Sequence, residues 1–324
     1  MYMFFLLFIV VVVMVITVGV IFWYPSLQMY LGHKTTSPSI WMYWENPPGK
    51  SKPGYIELCH RSVYEHCGQD FHIHLLDQFT LRRFLPFLPY QSILDSRMTI
   101  PQKTDYYRVL LLEKYGGIWL DSDTICFQSL LPIMTKLQEY DYVGFGCHKF
   151  NKKGKLLPCK NGYPKPANWA MASLPHGRLI TTYRQAQERI LKELSQGGGS
   201  LRQNYFGLGR SLLWKCIDKI QKQDPSWDYY HWTSRCVERD SQGQKWVNQR
   251  FLSQKEQIDE KCVTHLLIIP IYNTAPGFPS WFRQQTPSQI LSGNMLVSRL
   301  FRLSMRVSDS PHTQELVESF VSGC

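Results

Sequence analysis

The chain has 324 residues, 44% hydrophobic and 14% aromatic, with a formal charge of +11. That is enough apolar material to bury one large core or two small ones. The basic balance suits acidic partners such as an anionic membrane surface or a phosphorylated small molecule. Nucleic acid is not expected, because pairs such as Arg82-Arg83 and Lys152-Lys153 are scattered and no DNA- or RNA-binding signature is present.

Residues 1–24 carry no charged side chain, and the first formal charge is Lys34. An apolar run of that length spans a bilayer as a helix, and no small-x-small cleavage site follows it. Phe22, Trp23 and Tyr24 suit the interfacial aromatic belt. The expectation is a transmembrane signal anchor over 1–24 and a short stem over 25–38. The folded domain follows over 39–300, with a C-terminal tail over 301–324. A long folded domain translocates largely regardless of charge, so a single-pass type II arrangement is expected. The domain then lies on the lumenal side of the Golgi or ER in a eukaryote or a virus of eukaryotes, or in the envelope of a bacterium. Nine cysteines are spread along the chain without a CxxC pair, which argues against zinc and fixes no disulfide pairing.

Residues 40–44 form a β-rich run stopped by Glu45-Asn46-Pro47-Pro48-Gly49, and are read as the first strand. Residues 53–67 are read as a helix with Pro53 near its start, and 71–76 as a second strand ending at Asp77. This order implies a parallel pair with a crossover helix. Short helices broken by Pro86 and Pro89 follow. A stronger helix starts at Pro101 and runs to about Tyr115, where Gly116-Gly117 supplies a left-handed cap. Residues 118–120, 142–145, 169–172 and 263–270 are read as strands, and 175–194 and 207–223 as helices. The basic segment 148–165 and the polar segment 224–262 have no regular pattern.

Two constellations carry chemistry. Asp121-Ser122-Asp123 places two carboxylates just beyond a buried strand, where open α/β sheets bind ligands. Such hard oxygen ligands suit Mg²⁺ or Mn²⁺. Alone, that tripeptide is more often a solvated turn. Asp105 and Arg108 fall one turn apart on the preceding helix. Their neighbours make most of that helix apolar, and an idle ion pair in such a setting is costly.

The string Thr104-Asp105-x-x-Arg108 … Tyr115-Gly116-Gly117-Ile118-Trp119-Leu120-Asp121-x-Asp123 resembles the D-x-D region of sugar-nucleotide-dependent glycosyltransferases. The resemblance is to the capsular-polysaccharide-synthesis type and to related α-mannosyl- and α-galactosyltransferases. Ile40-Trp41-x-x-Trp44 and Cys59-His60-Arg61-Ser62 resemble the opening of the capsule group. The resemblance implies a GT-A fold, Rossmann-like, with a mostly parallel central sheet and flanking helices. It also implies Mn²⁺ or Mg²⁺, a UDP- or GDP-hexose donor, a glycan or glycoconjugate acceptor, and transfer with retention. By the same resemblance, Asp105 and Arg108 bind donor-sugar hydroxyls. Asp121 contacts ribose or sugar, Asp123 ligates the metal together with Asp121, and Trp44 stacks on the base. Core packing is the alternative for Trp44. Asp77 is a weaker candidate for a base or ribose contact. Ser280-Trp281 and His265 are the only late elements that could complete the site, and His265 suits a core position as well. The competing functions are an inactive glycan-binding or scaffold protein of the same fold and a Ca²⁺-stabilised structural protein. No catalytic base is identifiable.

Overall fold

In a computed structural model, the described residues are 37–47, 49–146, 149–150, 156–157, 165–197, 207–232, 251–255, 267–271 and 278–306. The expected membrane span 1–24, nearly all of the stem, His265 and most of the expected tail lie outside them. Among the described residues no helix is long and apolar enough to cross a membrane.

The central sheet joins β1 (Ser39–Tyr43), β2 (His72–Leu76), β3 (Gly117–Leu120), β5 (Tyr142–Phe145), β8 (Ala167–Ser173) and β9 (Tyr230–Trp232). Their order is β2-β1-β3-β8-β5-β9. β1 is parallel to β2 and β3, and β5 is parallel to β9, while β8 runs antiparallel to both its neighbours. The sheet is therefore mostly parallel with one reversed strand. A separate two-stranded ribbon pairs β4 (Thr124–Cys126) antiparallel to β10 (Ile268–Pro270), and β6 (Lys149–Phe150) pairs with β7 (Leu156–Leu157).

Helices cover both faces. They are α1 (Gly54–Cys67), α2 (Leu81–Phe84), α3 (Gln91–Arg97), α4 (Ile100–Tyr115), α5 (Leu131–Lys136), α6 (Arg178–Ser195), α7 (Arg210–Gln223), α8 (Ser280–Arg283), α9 (Pro287–Ser292) and α10 (Leu296–Ser304). Alternate residues of each central strand enter opposite cores. Ile40, Met42, Ile118, Leu120, Ala170 and Ala172 pack with α1 and with α8 to α10. Trp41, Tyr43, Trp119 and Met171 pack with α4, α6 and α7. Burial on both faces is why these strands read as unbroken apolar runs rather than as alternations.

Most expected elements fall within a few residues of those observed. Pro53 is the cap that precedes α1 rather than part of it. Gly116 takes the expected positive φ, 67°, but its ψ of −161° is not left-handed helical. The chain turns directly into β3, so close to β1 that a Cβ on Gly117 would lie 2.3 Å from the Ser39 carbonyl oxygen. The domain does not close at residue 300. Phe301, Ser304 and Met305 are buried, so the last turn of α10 belongs to the core. The described cysteines Cys59, Cys67, Cys126 and Cys216 are free and buried, which fits small core side chains.

Candidate active site

β1 and β3 end side by side, and the loops beyond them shape a cleft of about 1060 Å³. Its walls include Trp44 and Glu45, the loop into α1, the polar face of α4, the Asp121–Asp123 turn, Asn168 of β8 and the segment from α8 to Pro287. The crevice at the carboxyl ends of parallel strands is where open α/β sheets bind ligands.

The carboxylate turn is held from four directions. Asp121 N–H donates to Trp169 O at 2.7 Å, Thr124 N–H to Asp121 O at 3.1 Å, and Ile271 N–H to Asp123 O at 2.8 Å. The buried Ser122 hydroxyl donates to Tyr43 O at 2.8 Å. The Thr124–Asp121 bond is the one any such turn makes; the other three reach outside it, so β1, β8 and the β10 strand end fix where the two carboxylates stand.

Arg108 is the hub of the floor. Its side chain is 5% exposed and lies between Asp105, at 3.2 Å, and Asp121, at 3.1 Å. It also donates from Nε to Thr104 O at 3.1 Å and from a terminal nitrogen to Asn168 O. The guanidinium sits 5.1 Å from the Trp119 ring centre. Asp105 Oδ1 accepts from Asn168 Nδ2 at 2.7 Å, and Asp121 Oδ1 from Trp119 Nε1 at 2.9 Å. A planar fork can meet two carboxylates at once, which an ammonium cannot.

Arg108 is the buried cation that Asp105 and Asp121 share, and Asp123 stands beside them on the cleft wall. Burial, opposed by Arg108, pushes the Asp105 carboxyl up to about 6. Burial also raises Asp121 against the pull of Arg108. Arg108 is held above its ordinary value, burial notwithstanding, by the Asp121 and Asp105 carboxylates.

The donor set of this turn decides whether a divalent cation fits. Among the described residues no cluster of three or more His, Cys, Asp or Glu is placed to hold a metal. Mg²⁺ and similar ions, however, are commonly held by one or two carboxylates plus substrate phosphates. Asp121 and Asp123 supply that donor set on the cleft wall. The residues fit a cation that shares its coordination with a ligand.

The six expected site residues separate into groups. Asp105, Arg108, Asp121, Asp123 and Trp44 all line the cleft. Trp44 is half-buried against the core, and its Nε1–H donates to Asn46 Oδ1 at 2.7 Å. Arg108 has almost no surface to offer a sugar; it holds the two carboxylates instead. Asp77 is not brought to the cleft wall. Its Oδ1 accepts from Phe79 N, Thr80 N and Thr80 Oγ1 at 2.7–2.9 Å, so it caps the turn into α2. The Thr80 N–H, first among these donors, holds its carboxyl below the usual range. Of the late elements, Ser280 lines the cleft, while the Trp281 side chain is 53% exposed.

Asn168 and Trp119 were not singled out from the sequence. The signal for Asn168 was one amide inside an otherwise apolar strand. Gly209, which precedes α7, is a third: a Cβ there would lie 2.6 Å from Asp105 Oδ2. Nothing in the local sequence brings residue 209 to residue 105.

A family profile described as "Capsular polysaccharide synthesis protein" matches residues 26–189, just over half of the chain. No curated protein matches. Among solved structures the chain is similar to the PaToxG glycosyltransferase, with 14% identity over 84% of this chain and 86% of that one, TM-score 0.34. It is similar to the galactosyltransferase LgtC in complex with donor and acceptor sugar analogs, with 10% identity over 86% and 99%, TM-score 0.39. The apo glycosyltransferase GlyE of Streptococcus pneumoniae TIGR4 shows 12% identity over 89% of this chain, TM-score 0.38. The chain covers 63% of GlyE, under two thirds of that chain.

Proposed function

The chain belongs to the capsular polysaccharide synthesis protein family, and from that premise we propose that it is a glycosyltransferase of GT-A type. It moves a hexose from a nucleotide-sugar, UDP- or GDP-linked, to a glycan or glycoconjugate acceptor. The observation that carries this reading is the Asp105–Arg108–Asp121 cluster. Arg108 is buried and its two carboxylates are half-buried at the floor of a cleft beyond the parallel strands, with Asp123 beside them. An inactive scaffold has no need of a desolvated charge cluster, which costs stability unless a ligand uses it.

Each residue has a role that follows from its surroundings. Arg108 fixes the orientation of Asp105 and Asp121. Asp121 and Asp123 would hold a divalent cation, Mn²⁺ or Mg²⁺, which when bound supplies charge neutralisation to a departing diphosphate. Asp105, steadied by Asn168, faces the region where donor-sugar hydroxyls would lie. Trp44 offers a ring for base stacking. Cleavage of the anomeric bond develops positive charge on the sugar, as in glycoside hydrolysis, and the fixed carboxylates stabilise it. Transfer with retention is proposed from the family resemblance. The uncharged run 1–24 supports a membrane anchor.

A thermal-shift panel of nucleotide-sugars with and without Mn²⁺ tests the reading, since a ligand of the native state raises apparent stability. Metal-dependent stabilisation by one nucleotide class is expected. Stabilisation by Ca²⁺ alone, with no response to any nucleotide-sugar, would favour the structural-ion reading instead.

A further inference from the structure

The Cys59-His60-Arg61-Ser62 motif of α1 has no place in the chemistry described so far. Its histidine is 4% exposed. His60 Nδ1 lies 3.4 Å from Lys52 Nζ. A lysine ammonium can only donate, so Nδ1 accepts and the ring proton sits on Nε2. Burial, reinforced by the Lys52 charge, pushes the imidazole down to about 3, so the ring is neutral. Among the described residues Nε2 has no hydrogen-bond partner. A buried imidazole with an unmet donor is a cost borne for the one contact it makes, which is to Lys52.

Lys52 lines the same cleft as Asp121 and Asp123. It directly precedes Pro53 and the first turn of α1, and Gly54 and Tyr55 of that turn also line the cleft. No side chain caps this helix end. Arg108 is poorly placed to serve an incoming anion, because it is 4% exposed and four of its five N–H groups meet Asp105, Asp121, Thr104 O and Asn168 O. With one N–H directed at His60, the Lys52 ammonium keeps two for a ligand.

We propose that Lys52, oriented by His60, binds the diphosphate of the donor from the side of the cleft formed by the entry to α1. This rests on the nucleotide-sugar reading for the identity of the anion. The backbone N–H groups at a helix N-terminus favour an anion, and Lys52 adds a full positive charge beside them. The diphosphate is thereby held between Lys52 and the Asp121–Asp123 side of the cleft. His60 is a positioning residue and Lys52 a binding residue.

The test uses the full-length protein in detergent, with Mn²⁺ held constant throughout, and three probes: UDP or GDP, the matching nucleoside, and inorganic pyrophosphate. Lys52→Met is expected to weaken nucleoside diphosphate and pyrophosphate binding about tenfold, the scale of one charge-assisted contact. Nucleoside affinity and melting temperature should stay unchanged, and Lys52→Arg should recover part of the loss. His60→Leu should weaken the diphosphate probes to a lesser degree while leaving nucleoside affinity intact. Unchanged diphosphate affinity in Lys52→Met would overturn the proposal and leave the nucleotide-sugar reading standing. An equal loss of nucleoside affinity would overturn it as well. Pyrophosphate binding that depends on Lys52, with no binding of either nucleotide, would uphold the anion site and remove the nucleotide reading.

Discussion

Replacing Arg108 by lysine keeps one positive charge and removes the fork. In the native arrangement the guanidinium meets Asp105 at 3.2 Å, Asp121 at 3.1 Å and two backbone carbonyls, all with the side chain 5% exposed. A shorter ammonium can reach one of the two carboxylates. The other is left with its remaining donor only, Asn168 for Asp105 or Trp119 for Asp121. One hydrogen bond between charged groups is worth about 1.5–3 kcal/mol, and breaking a buried pair about 3–5 kcal/mol. Because charge is retained, about 3 kcal/mol of destabilisation is expected. For a domain of this size that lowers the melting point by roughly 5–10 °C. Turnover should fall further than stability explains, since both carboxylates lose their fixed orientation; a loss of about a hundredfold corresponds to about 2.7 kcal/mol of barrier. Calorimetry and donor-hydrolysis rates on the same Arg108→Lys preparation measure the two effects. A variant that melts within a degree of wild type and turns over normally would refute the account of the floor as a built charge cluster.

Four further outcomes follow from the same geometry. Asp123→Ala should abolish transfer and metal-dependent donor binding while leaving the circular-dichroism melt near wild type, because the turn is anchored by the Asp123 carbonyl and by its neighbours. Trp44→Ala should raise the donor dissociation constant about ten- to a hundredfold with partial recovery in Trp44→Phe, on a stacking scale of roughly 1–3 kcal/mol; a sharp drop in melting temperature with unchanged affinity would assign the ring to the core. Gly209→Ala should push Asp105 off its position, since the new Cβ would lie 2.6 Å from Oδ2, and a normal donor KM in that variant would contradict the packing described. The fourth concerns pH. The Asp105 carboxyl is raised to about 6, so this group binds more protons in the folded protein than in the unfolded chain between about pH 4 and 6, and its contribution to stability falls as pH rises through that window. Asp121, raised too, acts in the same sense, and the His60 imidazole, pushed down to about 3, acts in the opposite sense over an overlapping window, so the readout is a difference: chemical denaturation of the metal-free proteins should give a more positive slope of stability with pH in Asp105→Asn than in wild type, and identical slopes would contradict the Asp105 assignment.

The residues that gather in the cleft were easier to pick out from the sequence than the order of the sheet. Asp105, Arg108, Asp121 and Asp123 were legible because two short-range signals coincide: a polar pair in an apolar helix, and paired acids after a buried strand. What joins them is long-range. Asn168 is 60 residues from Arg108, and Gly209 reaches Asp105 only through the packing of α7 beneath the sheet. The reversed strand β8 could not be told from a parallel one, because a strand buried on both faces reads as the same apolar run in either direction. β4 is three residues long and gains its identity only by pairing with β10, about 140 residues later. Asp77 misled because a carboxylate after a strand looks alike whether it meets a ligand or caps the next turn. The short helices α8 and α9 were missed for a similar reason: four and six residues carry too few turns for a periodic signal.

The most direct test of the central claim is release of nucleoside diphosphate from a panel of UDP- and GDP-hexoses by the purified full-length protein, with Mn²⁺, Mg²⁺ or chelator, beside the Asp123→Ala variant. The account predicts release from one nucleotide class that requires the divalent cation and is lost in Asp123→Ala. Nuclear magnetic resonance of the sugar product should show the donor's anomeric configuration preserved. Release that is indifferent to chelator and unchanged in Asp123→Ala would contradict the assignment of the carboxylate turn. No release from any donor, in protein shown to be folded, would contradict the glycosyltransferase reading itself.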